Sequence, residues 1–326
     1  MRLVRAHSSS PSSMIKESLY YAKILLFGEY GIIEDAMGLS IPYSNYKATF
    51  SFDAPESEKA QKSNAHLRNY LQFLRNQETE GTLPTPLQLD LFEADINNGM
   101  FFDSSIPQGF GVGSSGALVA ATYDRYALEK IDASDNLAAT DIVRLKGILG
   151  QLEAYFHGRS SGMDPLICYL KIPILINSKT DLGKVNLPEE QLEGAGAIFL
   201  LNTGEPGETQ PLVNLFLERL KHEGFRNMIR NEFVKYNDEC IKAFVKGDVK
   251  PLFRNLRKLS QLALDNFKPM IPHLFHALWK QGIDTRAYYL KLCGSGGGGY
   301  ILGFTQDYEK ARKLLKDYEL EVIYRF

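Results

Sequence analysis

The chain has 326 residues, 44% hydrophobic and 23% charged, with a formal net charge of -2. That is a globular composition, long enough for two domains with their own cores, and it argues against a broadly basic nucleic-acid surface. Cys168, Cys240 and Cys293 are scattered and form no C-x-x-C, so neither a disulfide framework nor a zinc site is expected, and a reducing cytoplasm is the plain reading.

Along the chain, "MRLVRAHSSSPSS" is polar, serine-rich and free of acids. It reads as a disordered tail over residues 1–13, with a composition that a transit peptide could also have. No apolar run reaches the roughly 18 residues of a membrane span. "YYAKILLFGEYGII" opens as a buried strand that Gly28 interrupts, and "YKATFSFD" reads as a second strand. "NAHLRNYLQFLRNQE" places Leu67, Tyr70, Leu71 and Leu74 on one helical face. "LQLDLFEADI" alternates, with Leu87, Leu89 and Leu91 facing one way, and predicts a half-buried strand.

"GALVAATYDRYALEK" predicts a helix beginning close to Ser115, and "SDNLAATDIVRLKGILGQLEAYFHG" a long helix stopped by Gly158. "GAIFLLNTG" is a strand ending at Gly204, followed by helices that include "KLSQLALDNF" and "PHLFHALWKQG". Next come "AYYLKLCG", a glycine run, "GGYILGF", the helical "YEKARKLLKDY" and the terminal "LEVIYRF". This order predicts an antiparallel sheet with helices on one face, of the ferredoxin-like type. The polar segment at residues 187–196 marks the expected boundary between an N-terminal domain, 14–192, and a C-terminal one, 193–326.

The chemistry concentrates in three glycine-rich segments. In "GFGVGSSGALVAA" the residues Gly111, Gly113 and Gly116 satisfy G-x-G-x-x-G, but a turn rather than a strand precedes them. About 20 residues on, where a dinucleotide fold needs an acid at a strand end, "DASDNLAA" reads as a turn entering a helix. No Walker sequence occurs either. What remains is a loop in which Gly109, Gly111 and Gly113 free the backbone. Ser114 and Ser115 then open a helix whose N–H groups can hold a phosphate, or simply be capped. "YLKLCGSGGGGYILG" sets Gly296 to Gly299 between two apolar strands, either for close approach to a ligand or as a strained turn. In "LEAYFHGRSSGMDPL", Asp164 follows a glycine-flanked loop and Glu153 lies on the helix before it. A carboxylate there can orient or deprotonate a hydroxyl, and the same composition also makes ordinary turns. His157 reads as a helix-end residue rather than a catalyst, and the six histidines show no metal-ligand spacing.

Taken together and in order, these segments resemble the GHMP kinases, the galacto-, homoserine, mevalonate and phosphomevalonate kinases. "KILLFGEYGII" resembles their first motif, "PQGFGVGSSGALVAA" their ATP phosphate loop, commonly P-x-x-G-x-G-S-S-A, and "LKLCGSGGGGYILG" their C-terminal glycine motif. Gly116 stands where many members have alanine. "HGRSSGMDP" resembles mevalonate kinases, whereas "GEY" and "GSSGA" look more like bacterial phosphomevalonate kinases.

The resemblance implies an α+β, two-domain fold: an N-terminal α/β domain like ribosomal protein S5 domain 2, then the ferredoxin-like domain. It implies ATP and Mg²⁺ as cofactors and transfer of the ATP γ-phosphate to a small alcohol, foremost mevalonate at its C5 hydroxyl. Phosphomevalonate, or a sugar of the galactose or heptose kind, is the alternative acceptor. By position, Asp164 matches the base for the acceptor hydroxyl and Lys23 the lysine beside it. Ser115 and Glu153 match the Mg²⁺ ligands, and Gly109, Gly111, Gly113, Ser114, Ser115, Gly116, Gly296 and Gly297 the nucleotide-binding residues. Glu29 and Thr203 match residues on the substrate side. No nucleic-acid or membrane partner is expected, and a homodimer is left open. The rivals from other classes are a catalytically silent, ligand-sensing homologue and a nicotinamide dehydrogenase.

Overall fold

The computed structural model describes residues 18–134, 136–158, 160–178 and 180–326. The tail expected over residues 1–13 lies outside them. The first sheet is formed by β1 (Tyr20–Phe27), β2 (Gly38–Ser51), β3 (Phe101–Ser104), β4 (Ile174–Ile176) and β5 (Leu182–Lys184). All its pairs are antiparallel: β1 lies along one edge of β2, while the two ends of β2's other edge pair with β3 and β4, and β5 pairs with β4. β2 begins eight residues before the strand expected from "YKATFSFD".

The helices of this half are α1 (Glu58–Glu80), α2 (Leu89–Asn97), α3 (Ser114–Tyr126), α4 (Ala139–His157) and α5 (Met163–Leu170). Ser57 caps α1 by accepting from the Ala60 N–H, and Gly81 ends it in the left-handed conformation. Its buried face contains Leu67, Tyr70, Leu71 and Leu74, as the periodicity predicts. α3 is buried continuously from Gly116 to Tyr123, because it packs against β1, α4 and α5 at once. Gly158 terminates α4 at φ 67°.

The segment expected as a strand at 87–96 is instead α2. Its leucines alternate, but Leu89, Phe92 and Ile96 also recur at helical spacing, and those three are buried. Leu91, placed on the inner face by the strand reading, is 42% exposed. Packing against α1 and α3 selected the helical period over the two-residue one.

The second sheet contains β6 (Ala197–Asn202), β7 (Tyr289–Leu292), β8 (Tyr300–Thr305) and β9 (Leu320–Arg325), ordered β7-β8-β6-β9 and antiparallel throughout. Between β6 and β7 run α6 (Thr209–Leu220), α7 (Glu223–Met228), α8 (Val234–Lys246), α9 (Val249–Asn266) and α10 (His276–Thr285), and α11 (Tyr308–Leu314) joins β8 to β9. This is the ferredoxin-like order read from the sequence, with the helical crossover greatly expanded. One continuous buried cluster joins the two sheets, and Phe27 at the end of β1 meets Phe244 of α8 and Phe304 of β8. Among the described residues, no helix is long and apolar enough to cross a membrane.

Candidate active site

Parts of four elements converge on one spot: the middle of β1, the N-terminus of α3, the C-terminal turns of α4 and the N-terminus of α5. The segment before α3 is shaped by Gly109, Gly111 and Gly113, each with φ between 77° and 84°, a region L-residues seldom adopt. Gly113 is also the N-cap of α3, so the first N–H groups of that helix face out of the loop with the positive end of its dipole. Lys23 supports the loop from below. Its N–H donates to the Val112 carbonyl at 2.9 Å and its ammonium to the Gly111 carbonyl at 3.1 Å.

The Lys23 ammonium also lies 3.0 Å from Asp164 Oδ2. Burial opposes the Lys23 charge, but the charge of the Asp164 carboxylate and its hydrogen bond hold the group above its ordinary value. Lys23 is buried, whereas the Asp164 side chain is 40% exposed and so open to a reactant. Asp164 follows the glycine-flanked loop of residues 158–162, as read from the sequence. It sits in the first turn of α5, followed by Pro165, which suits a helix start.

At Gly116, α3 packs directly on the backbone of α5. A Cβ there would fall 2.8 Å from the Asp164 carbonyl carbon and the Pro165 nitrogen. The departure from the family's usual alanine is therefore tied to how near Asp164 lies to the loop.

Ser115, one turn edge away, donates to Glu153 Oε1 at 3.0 Å, and its oxygen lies 3.1 Å from His157 Nε2. Ser160 donates to the other Glu153 oxygen and accepts from the Gly162 N–H at 2.9 Å. Burial, then the charge of Asp164, push the Glu153 carboxyl up to about 7, against the pull of the Ser160 and Ser115 hydroxyls. A buried carboxylate with a serine oxygen beside it is a hard-oxygen pair that fits Mg²⁺, an ion that takes one or two protein ligands and shares the rest with water and phosphate. Among the described residues no three His, Cys, Asp or Glu side chains form a metal cage by themselves.

The glycine run closes the site from the second sheet. Gly299 backs onto Phe110, Gly111 onto the Cys293 carbonyl, and the Gly207 N–H donates to the Gly109 carbonyl at 2.8 Å. Gly297 donates to the Met270 carbonyl at 2.6 Å, and a Cβ on Gly296 would strike that same carbonyl oxygen. The structure thus brings together Lys23, Gly109, Gly111, Gly113, Ser114, Ser115, Gly116, Glu153 and Asp164, with Gly296 and Gly297 on the adjoining wall.

The two residues expected on the substrate side have other engagements. Thr203 donates to the Gly299 carbonyl at 2.7 Å. Glu29 is buried in an ion pair with Lys291 at 2.6 Å. Sequence reasoning set His157 aside and missed Ser160 and Lys291. The signal for Lys291 was a lone lysine inside the otherwise apolar strand "YLKL".

Comparison with known proteins agrees with this architecture. The models for the GHMP kinases N terminal domain and the GHMP kinases C terminal match residues 83–171 and 240–320, together just over half of the chain. The chain belongs to the GHMP kinase superfamily, whose members are ATP-dependent phosphotransferases. L. major mevalonate kinase, solved with R-mevalonate, aligns at TM-score 0.61 and 17% identity, over 92% of this chain and 90% of its own. Streptococcus pneumoniae phosphomevalonate kinase, solved with phosphomevalonate and AMPPNP, aligns at 0.56 and 16%, over 95% and 100%. Lactococcus lactis galactokinase, complexed with galactose, aligns at 0.57 and 12%, over 95% and 94%. At these identities the likeness carries the two-domain fold. No curated protein matches the sequence.

Proposed function

We propose that this chain is a mevalonate kinase, transferring the γ-phosphate of ATP to the C5 hydroxyl of mevalonate. The observation that carries the reading is the Lys23–Asp164 pair at 3.0 Å, set beside the N-terminus of α3 with Ser115 and Glu153 next to it. Phosphoryl transfer needs positioning and charge stabilisation more than covalent help. The loop N–H groups would hold the phosphates, and Ser115 and Glu153 would hold Mg²⁺. When bound, that ion supplies charge neutralisation at the phosphate oxygens.

Asp164 would accept the hydroxyl proton as the acceptor oxygen attacks the γ-phosphorus, the bond to the β–γ bridging oxygen breaks and ADP leaves. Lys23 would keep the Asp164 carboxylate oriented towards that oxygen. In this reading Thr203 fixes the glycine run through the Gly299 carbonyl. Phosphomevalonate is the second acceptor to weigh, because Tyr30 follows Glu29 where mevalonate kinases commonly carry histidine.

The test is ADP release with mevalonate, phosphomevalonate, galactose and a heptose in parallel, with the Asp164→Asn variant as control. Mevalonate is expected to give the highest kcat/KM. Asp164→Asn is expected to lower turnover by roughly 10²- to 10⁴-fold, the scale of general-base catalysis, with ATP affinity nearly unchanged. Turnover on a sugar alone would refute the acceptor, and ATP binding without turnover on any of the four would favour a silent homologue.

A further inference from the structure

We propose that Glu29 and Tyr30 are positioning residues of the nucleotide site, which hold the glycine run of residues 294–299 against the phosphate loop, and that neither contacts the acceptor. The inference rests on reading Gly109–Gly113 as the phosphate loop. Its starting point is the backbone between β1 and β2. Tyr30 has φ 57° and ψ -40°, and the Gly31 N–H donates to the Glu29 carbonyl at 2.5 Å. That is a three-residue turn of the strained, positive-φ kind, rare for a residue with a large side chain. Such a conformation persists only where the surroundings over-determine it.

The surroundings do so through two consecutive side chains that grip one segment of the second sheet. The Tyr30 ring packs on Phe216 and Phe267, with centroids 4.6 and 5.5 Å away, and its hydroxyl donates to the Ser295 carbonyl at 2.7 Å. The Glu29 carboxylate meets the Lys291 ammonium at 2.6 Å, with both side chains 2% exposed or less. Lys291 stands just ahead of the glycine run, and Ser295 stands within it. The turn therefore clamps the run at its entrance and in its interior.

What the run touches on its other side is the phosphate loop. A Cβ on Gly111 would sit 2.7 Å from the Cys293 oxygen, and one on Gly299 would sit 2.4 Å from the Phe110 Cα. Backbone packed this closely has no slack, so a shift of the run displaces the loop. A buried ion pair contributes little net stability compared with an apolar pair of the same volume. What Glu29–Lys291 supplies is a fixed register between two segments that belong to different sheets. The Glu29 carboxylate has no open face left for an acceptor.

The experiment uses the full-length chain and its Tyr30→Phe and Glu29→Gln variants. It reads the Kd of a fluorescent N-methylanthraniloyl-ATP, the KM for mevalonate or whichever of the four acceptors the ADP-release assay selects, and the Tm. Tyr30→Phe keeps the ring contacts and deletes only the bond to Ser295. It is expected to raise the nucleotide Kd about three- to tenfold, the scale of one lost hydrogen bond. Acceptor KM should stay within twofold and Tm within a few degrees. Glu29→Gln is expected to move the same constant in the same direction, and Glu29→Asp to restore part of it. A rise in acceptor KM with unchanged nucleotide Kd would overturn the proposal, and so would Tyr30→Phe binding the nucleotide like wild type. A wild-type chain that binds no ATP analogue would remove the phosphate-loop reading and this inference with it, an outcome distinct from failure of the variants alone.

Discussion

At the scale of single residues, Glu153 has the most to reveal in solution. Its carboxyl, pushed up to about 7, is an acid that binds its proton more tightly folded than unfolded. Between the ordinary value of about 4.5 and about 7 the folded state therefore holds more protons, and stability falls as pH rises through that window. The loss is on the order of 3 kcal/mol at most. Glu153→Gln removes it, so the variant should gain stability relative to wild type on going from pH 5 to pH 7.5, read by urea unfolding at each pH. A gap between variant and wild type that does not change with pH would refute the buried-carboxylate account. Mg²⁺ favours the charged carboxylate and should narrow the gap at the higher pH. Sequence alone singled out Glu153, Ser115 and Asp164 from the glycine-rich segments they flank, and Lys23 only through the resemblance of its segment to the family's first motif. It could not weigh His157 or Lys291, since their partners lie 42 and 262 residues away in the chain.

At the scale of elements, the site exists because α3, α4 and α5 can approach without side chains between them. Gly150 in α4 faces the loop before α5, and a Cβ there would lie 3.1 Å from the Gly162 nitrogen and 3.2 Å from the Ser160 carbonyl oxygen. Gly147, one turn earlier, is exposed and has no heavy atom within 4 Å of an added Cβ. The two substitutions should therefore part company. Gly147→Ala is expected to stabilise the chain by about 0.5–1 kcal/mol through helix propensity. Gly150→Ala makes the same propensity gain but forces the Gly162 and Ser160 backbone to shift, so it is expected to leave the chain less stable than Gly147→Ala by roughly 1–3 kcal/mol and to lower turnover by displacing the loop that leads to Asp164. Thermal unfolding and ADP release on both variants check this. The helical glycines were visible in the sequence, but which of them met another backbone was not. α2 was misread for a related reason: its leucines satisfy two periods, and only the neighbours α1 and α3 decide between them.

At the scale of the whole molecule, the two sheets are tied by a polar cluster between β2 and the strands β8 and β9. The register between β1 and β2 slips between Tyr21 and Ala22, which leaves residues 44–46 of β2 outside the ladder. Such a bulge bends the strand and re-aims its side chains. Here Tyr43 and Tyr46 donate to the two oxygens of Glu321 on β9, at 2.5 and 2.9 Å, and the Tyr46 hydroxyl lies 2.6 Å from that of Tyr300. Tyr300 in turn packs edge-on against Phe110 of the glycine-rich loop before α3. Glu321→Ala deprives the Tyr43 hydroxyl of its acceptor, leaving only the Asn45 amide that donates to it, and is expected to cost about 1–3 kcal/mol, whereas Glu321→Gln, which keeps one acceptor oxygen, should cost less. Urea unfolding of the two variants tests the difference. Equal stability in both would show that the cluster is not a tie between the sheets.

The sequence by itself determined a glycine-shaped loop ahead of a helix that opens on serine, and the ferredoxin-like order of the second half. Those depend on local spacing: glycines at positive-φ positions, a serine at a helix start, strands and helices alternating along the chain. Only the tertiary structure decided that the segment at 87–96 is a helix, that Glu29 turns inward to Lys291, and that Gly116 sets the distance from α3 to Asp164. Each of those outcomes depends on what lies across the interface. Packing selects between periods a segment satisfies equally, and a buried charge goes wherever the fold supplies its counter-ion.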